Sequence, residues 1–321
     1  MPHNQFFLSI LFVSVFFSNP LLAIPKDTLG VVFKSEEYAL TGNLIVPKDR
    51  NNKMPAVIFL VGSGGNSSYK GNYKDFLHFF LEKPFENENV ALFYFDKRGV
   101  RNSEGKWYQT NFKERAVDAK NAAEYLKKFP YINENKIYVV GHSQGGWIVQ
   151  LCLANYPTVF AGGISMAGAT FGVKKQLIND YYSQLVCNQN YDSLQAMKKA
   201  TQKVNSILRW TSIFPIQKNW KQLKRIKHFE IENTLDKIQQ PILYMWGEND
   251  ALVNPMWCMQ ELSTKFPKGL PANFSYYVGK GENHSFKPTI LCHKGSTKQI
   301  SYSEESKKIL FEWLMTQFKK F

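Results

Sequence analysis

The sequence predicts an α/β protein: a mostly parallel central sheet flanked by helices and interrupted by one helical insertion. Short apolar runs rich in β-branched and aromatic residues recur along it, and helix-like segments alternate with them. One long stretch, Phe171 to Phe229, carries helical periodicity and no strand.

The elements follow in order. Gly30 to Lys34 and Tyr38 to Val46 read as an opening antiparallel pair. Ala56 to Val61, Val90 to Phe95, Lys136 to Val140, Gly163 to Met166, Ile242 to Trp246 and Phe274 to Val278 are nearly unbroken apolar runs, as strands buried on both faces require. Between them Tyr73 to Glu82 and Lys113 to Phe129 have helical spacing, the second aligning Ala116, Ala119, Ala123 and Leu126 on one stripe. A last helix fits Glu304 to Phe318, capped by Ser303 and turning Ile309, Leu310, Trp313, Leu314 and Phe318 inward. The insertion has its own stripe, Leu194, Met197, Val204 and Leu208, and its aromatics Tyr181, Tyr182, Trp210 and Trp220 read as core.

The 321 residues suffice for one large α/β domain or two smaller ones, and 44% hydrophobic with 21% charged residues is a globular balance. No apolar run reaches the roughly 20 residues of a membrane span, so disorder, collagen and polytopic membrane protein are excluded. The chain divides into a leader at 1–23, a first core part at 24–170, the basic cap at 171–235 and a second core part at 236–321. Its net charge is +14, and Phe171 to Phe229 alone supplies +9 of it, eleven Lys and Arg against Asp180 and Asp192. Most such charge lies on solvated helix faces; the functional expectation is a cap that faces an acidic substrate, a glycan or an anionic envelope surface. Nucleic acid is not expected, because no binding motif accompanies the charge.

The leader reads as a signal peptide. No Lys, Arg, Asp or Glu precedes Lys26, Phe6 to Phe17 is almost wholly apolar, and Pro20 stands just ahead of a cut after Ala23. The expected location is therefore periplasmic or secreted.

The chemistry centres on Gly141-His142-Ser143-Gln144-Gly145. A bare Gly-x-Ser-x-Gly arises by chance about 0.1 times in a chain of this length. Here an apolar strand runs into it and the apolar segment Trp147 to Tyr156 leaves it, so its glycines permit a turn that lifts Ser143 out of the sheet edge. A serine hydroxyl needs a base, and the base an orienting group. Asp250 follows the strand Ile242 to Trp246, and His284 follows Phe274 to Val278, where the carboxyl ends of strands line a crevice. Glu248 and Glu282 rival Asp250, whereas His78, His228 and His293 lack such a context. After the strand Ala56 to Val61, Gly62-Ser63-Gly64-Gly65 lets backbone N–H groups approach an oxyanion: one donor is assigned to Ser63, with Gly64 as alternative, and the other to Gln144. This glycine-rich stretch lacks the Gly-Lys-Ser/Thr ending of a phosphate loop. No metal or organic cofactor is called for.

These residues, with Asp96-Lys97-Arg98-Gly99, stand in the order Ser, Asp, His across most of residues 30–320. The chain thereby resembles the α/β-hydrolase fold serine hydrolases, among them dienelactone hydrolase and feruloyl esterase types and the catalytic part of prolyl oligopeptidase-like peptidases. The resemblance implies that Asp96 and Arg98 brace the loop beside the site. Two departures stand out: Val61 replaces the histidine often found before Gly62, and Gly99-Val100-Arg101-Asn102-Ser103 replaces Gly-x-Gly-x-Ser.

The expected activity is hydrolysis of a carboxylic ester of a small acyl substrate through Ser143, His284 and Asp250, with aminopeptidase or acyl-thioesterase as the alternative. A cap poor in acids offers little for a substrate amine, which favours the ester. A binding protein using its basic cap on an anionic ligand is the reading from another class; the complete set of three residues argues against it. Four cysteines allow three full pairings. Cys152 sits among Ile148, Val149 and Leu151 as a core thiol, and Cys258 and Cys292, which follow the Asp250 and His284 segments, are the expected pair.

Overall fold

A computed structural model describes residues 23–189 and 191–320; the leader lies outside the described residues except for Ala23. The sheet has eight strands: β1 (Lys26–Ser35), β2 (Tyr38–Pro47), β3 (Met54–Leu60), β4 (Ala91–Phe95), β5 (Ile132–His142), β6 (Gly162–Met166), β7 (Ile242–Gly247) and β8 (Phe274–Gly279). Their spatial order is β1-β2-β4-β3-β5-β6-β7-β8. Strands β1 and β2 pair antiparallel, β2 meets β4 antiparallel, and every pairing from β4 to β8 is parallel. This is the α/β-hydrolase fold with an inserted helical cap.

Alternation along each strand explains the continuous apolar runs. In β3, Ala56, Ile58 and Leu60 point into one core layer, which also holds Ala116, Ala119, Ala123, Ile148, Leu151 and Leu262. Val57, Phe59 and the following Val61 point into the other, with Phe76, Phe80, Leu310 and Leu314. The first layer is closed by α2 (Phe112–Leu126), α3 (Gln144–Asn155) and α7 (Pro255–Lys265), the second by α8 (Glu304–Lys319) and by α1 (Lys74–Leu77), which runs into a π turn over His78–Glu82. Helix α2 starts at a capping box, with Asn111 accepting from the Glu114 N–H and Glu114 from the Asn111 N–H. Ser303 caps α8 by accepting from the Ser306 N–H. The observed β5 begins four residues before the Lys136 expected from sequence, because polar Asn133, Glu134 and Asn135 continue the strand beyond its apolar part.

Between β6 and β7 stand α4 (Val173–Gln189), α5 (Ser193–Ile213) and α6 (Lys218–Ile226). Asn179, fully buried, pins α4 to the loop after β7: its Nδ2 donates to the Ala251 carbonyl at 3.0 Å and its Oδ1 accepts from the Asn254 N–H at 2.7 Å. The aromatics of the insertion diverge from the expected core role. Trp210 is 51% exposed, whereas Tyr181 and Trp220 line a cavity of about 440 Å³ beneath the insertion.

The disulfide corrects the expected pairing. Cys187 near the end of α4 is bonded to Cys292 in the loop after β8. Cys258, fully buried on α7 beside Thr170, and Cys152 are free thiols.

Candidate active site

Because β3, β5, β7 and β8 run parallel, the turns leaving their carboxyl ends emerge along one sheet edge. That edge gathers Ser63, Ser143, Gln144 and His284 around a cavity of about 250 Å³, together with Trp147, Gln176, Asp180, Leu252 and Val253. Four segments far apart in sequence thus meet through strand direction alone.

Ser143 sits in the β5–α3 turn at φ 57°, a left-handed conformation that a non-glycine residue rarely adopts. The turn closes only because its flanks lack side chains: a Cβ at Gly145 would come within 2.1 Å of the Leu60 carbonyl oxygen. Two bonds hold the turn, from the Ser143 N–H to the Met166 carbonyl and from the Gly146 N–H to the Ser143 carbonyl, at 2.8 and 2.9 Å.

His284 Nδ1 lies 2.7 Å from Asp250 Oδ2. Asp250 is 1% exposed, and its other oxygen accepts from the N–H groups of Leu252 and Val253 at 2.8 and 2.9 Å, so the carboxylate cannot turn away. Burial disfavours the protonated imidazole of His284; the charge and hydrogen bond of Asp250, aided by the charge of Asp180, outweigh it and raise its pKa above the ordinary value. No hydrogen bond joins Ser143 and His284 among the described residues, though both border the cavity; such bonds often tighten only with substrate. The rivals face elsewhere. Glu248 accepts from the Gly281 N–H at 2.7 Å, and buried Glu282 accepts from the Ser306 hydroxyl at 2.5 Å.

Sequence reasoning missed the frame behind these residues. His142 Nε2 donates to the His284 carbonyl at 2.8 Å, while its Nδ1 accepts from the Tyr73 hydroxyl at 2.7 Å. The Tyr73 oxygen in turn accepts from the Gly62 N–H at 3.0 Å. The carbonyl acceptor fixes the donor nitrogen, so His142 is a neutral Nε2–H tautomer. Burial, reinforced by the charge of nearby His284, pushes its pKa down to about 3.

Two buried cations complete the frame. Lys97 Nζ donates to the Gly62 carbonyl at 2.5 Å, and Arg115 donates to the Val61 carbonyl at 2.6 Å and to the Gln144 side chain at 3.3 Å. Burial lowers both: Lys97 falls well below the usual lysine range, and Arg115 to about 10. With the carbonyls of Val61 and Gly62 and the Gly62 N–H all engaged, the strand end is held in one orientation. The N–H groups of Ser63 and Gln144 have no protein acceptor among the described residues. The signal in the sequence was a pair of charges, Arg115 and Asp118, at helical spacing beside the apolar stripe of α2.

Asp96 and Arg98 do not pair with each other. Arg98 bonds Asp118 at 2.6 Å and Glu36 at 2.8 Å, whereas Asp96 accepts from the Tyr69 N–H at 3.2 Å. Both residues follow the last residue of β4 and hold different partners: Asp96 holds the loop after β3, and Arg98 holds α2 and the turn between β1 and β2.

Strand order and a sheet-edge cavity place the chain in the α/β-hydrolase fold class. The sequence pattern of the prolyl oligopeptidase family matches residues 78–320, and the chain belongs to that family. Over 173 residues it is 24% identical to a poly(3-hydroxyalkanoate) depolymerase C from Paucimonas lemoignei, a match covering 49% of this chain and 40% of that protein. The chain therefore spans less than half the length of that curated relative. An esterase from Pyrococcus furiosus shares the fold with a TM-score of 0.61 at 18% identity, over 91% of this chain and 92% of the esterase. An acylaminoacyl peptidase from Pyrococcus horikoshii does so with a TM-score of 0.60 at 16% identity, over 94% of this chain and 43% of the peptidase.

Proposed function

We propose that the chain is a serine hydrolase that cleaves carboxylic esters of small acyl substrates. The observation that carries this reading is Ser143, raised on a strained turn, bordering one cavity with His284, whose far nitrogen is fixed by buried Asp250. In this reading Ser143 Oγ attacks the acyl carbonyl while His284 Nε2 takes its proton, and Asp250 stabilises the imidazolium through Nδ1–H. The N–H groups of Ser63 and Gln144 receive the oxyanion. The intermediate collapses, His284 returns the proton to the departing alkoxide, and water repeats the sequence on the acyl-serine to release the acid.

The depolymerase and esterase similarities support an ester substrate, and the acylaminoacyl peptidase keeps an amide as the second reading. We further propose export with removal of residues 1–23; the Cys187–Cys292 disulfide supports an oxidising compartment. Amino-terminal sequencing of the mature protein checks the cut.

The test of activity is labelling by a fluorophosphonate, followed by a panel of acyl esters, thioesters and aminoacyl amides. Ser143→Ala is expected to abolish labelling and turnover alike. Undiminished labelling in that variant, or none in the folded wild type, sinks the reading and turns attention to anionic ligands of the basic insertion.

A further inference from the structure

We infer that Asp180 makes the reaction cavity selective for acyl substrates that carry a protonated amine close to the scissile carbonyl. The inference rests on the serine hydrolase reading and narrows its substrate class.

Asp180 is the only carboxylate among the residues lining the cavity that holds Ser143 and His284. Its position is built rather than incidental. Asn179, the preceding residue, is buried and bonded to Ala251 and Asn254; Gln176, one turn earlier, donates to the Leu252 carbonyl at 3.3 Å; and Cys187 ties the far end of the helix to the loop after His284. Helix α4 is thus fastened at three points to the loops that carry Asp250 and His284, and Asp180 is held against the cavity.

The carboxylate has no cationic partner there. Its Oδ1 accepts from Gln184 at 2.9 Å, and among the described residues no Lys or Arg nitrogen lies within ion-pair distance, although the insertion contains eleven such residues. Lys175 on the same helix turns away to Glu261 at 2.6 Å. His284 cannot serve as the partner, because Asp250 occupies its Nδ1 and its Nε2 is the nitrogen required by Ser143. Partial burial raises the pKa of Asp180, the mark of a carboxylate short of compensation. An ammonium group of a bound substrate would supply the missing charge through a charge-assisted hydrogen bond. The basic stretch Phe171 to Phe229 therefore presents to the cavity one of its two acids.

The experiment compares kcat/KM for the β-alanyl and butanoyl 4-nitrophenyl esters at neutral pH, with spontaneous hydrolysis subtracted. The two acyl groups have similar length and differ in the terminal ammonium. Wild type is expected to favour the β-alanyl ester, and Asp180→Asn to shrink that preference by about 10- to 100-fold. Equal losses on both esters, or a wild type that favours butanoyl, overturn the inference while leaving the hydrolase reading intact. If neither ester is cleaved by protein that still labels at Ser143, the inference alone falls; if labelling also fails, both fall. Should Asp180→Asn not fold, wild-type turnover of the butanoyl ester is inhibited with propylammonium and 1-propanol. A Ki at least about tenfold lower for the ammonium supports the inference, and equal values overturn it.

Discussion

His142 donates from Nε2 to the backbone carbonyl of His284 at 2.8 Å, tying the residue before the strained serine to the loop that presents the imidazole. Through Tyr73 the same ring also holds the Gly62 N–H. One neutral side chain therefore sets the spacing of three loops that meet nowhere in the sequence.

Replacing Tyr73 by Phe leaves His142 Nδ1 and the Gly62 N–H buried without a partner. The expected loss is about 1–3 kcal/mol of stability, together with a lower kcat at similar KM. Urea unfolding and steady-state kinetics check both; a variant equal to wild type in each would contradict the frame.

The His142 network also predicts acid sensitivity. Its folded pKa is depressed to about 3, whereas an unfolded imidazole titrates near about 6.5, so the unfolded chain binds more protons between these values. The stabilisation is complete above about pH 6.5 and is lost as pH falls toward 3. Unfolding midpoints measured from pH 7 to pH 4 should drop less steeply for His142→Gln than for wild type.

Turnover should depend on pH with the opposite cause. In the proposed mechanism a protonated His284 cannot accept the Ser143 proton, so kcat/KM is expected to rise with pH through a midpoint above the ordinary histidine value, set by burial opposed by Asp250 and Asp180, with neutral His142 on the other side. Asp250→Asn removes the main opposing charge. Its midpoint is expected to move down and its kcat to fall by about 10⁴. A pH–rate profile of both proteins tests the sign.

Arg115→Met removes the donor to the Val61 carbonyl and to the Gln144 side chain, loosening both strand ends that carry the proposed oxyanion donors. Losing a donor outright costs about 10²–10³ in turnover, and misaiming should cost about tenfold to a hundredfold in kcat with KM little changed. A rise in KM at constant kcat would assign Arg115 to substrate binding.

Opening the bridge between α4 and the loop after His284 should destabilise the protein. The bond closes a loop of 105 residues, for which about 2–4 kcal/mol is expected. Thermal unfolding of Cys187→Ser beside wild type, with and without reductant, measures it. Reductant should shift the wild type alone.

The sequence by itself determined the layered α/β fold, since strands buried on both faces must be apolar throughout, and those runs are visible without coordinates. It also made Ser143, Asp250 and His284 candidates, because each follows such a run and parallel strands deliver their ends to one edge. Only the tertiary structure decided what surrounds them. Tyr73, Lys97, Arg115 and His142 act through backbone groups of distant segments, and a hydrogen bond to a carbonyl leaves no mark on the sequence of the residue that accepts it. The same holds for Cys187 with Cys292 and for Arg98 with Asp118: a partner is chosen by the path of the intervening helices and turns, which periodicity gives only within an element. Asp180 shows the difference most plainly, for in sequence it is one acid in a basic stretch, and in space it is the carboxylate lining the cavity that Ser143 and His284 border.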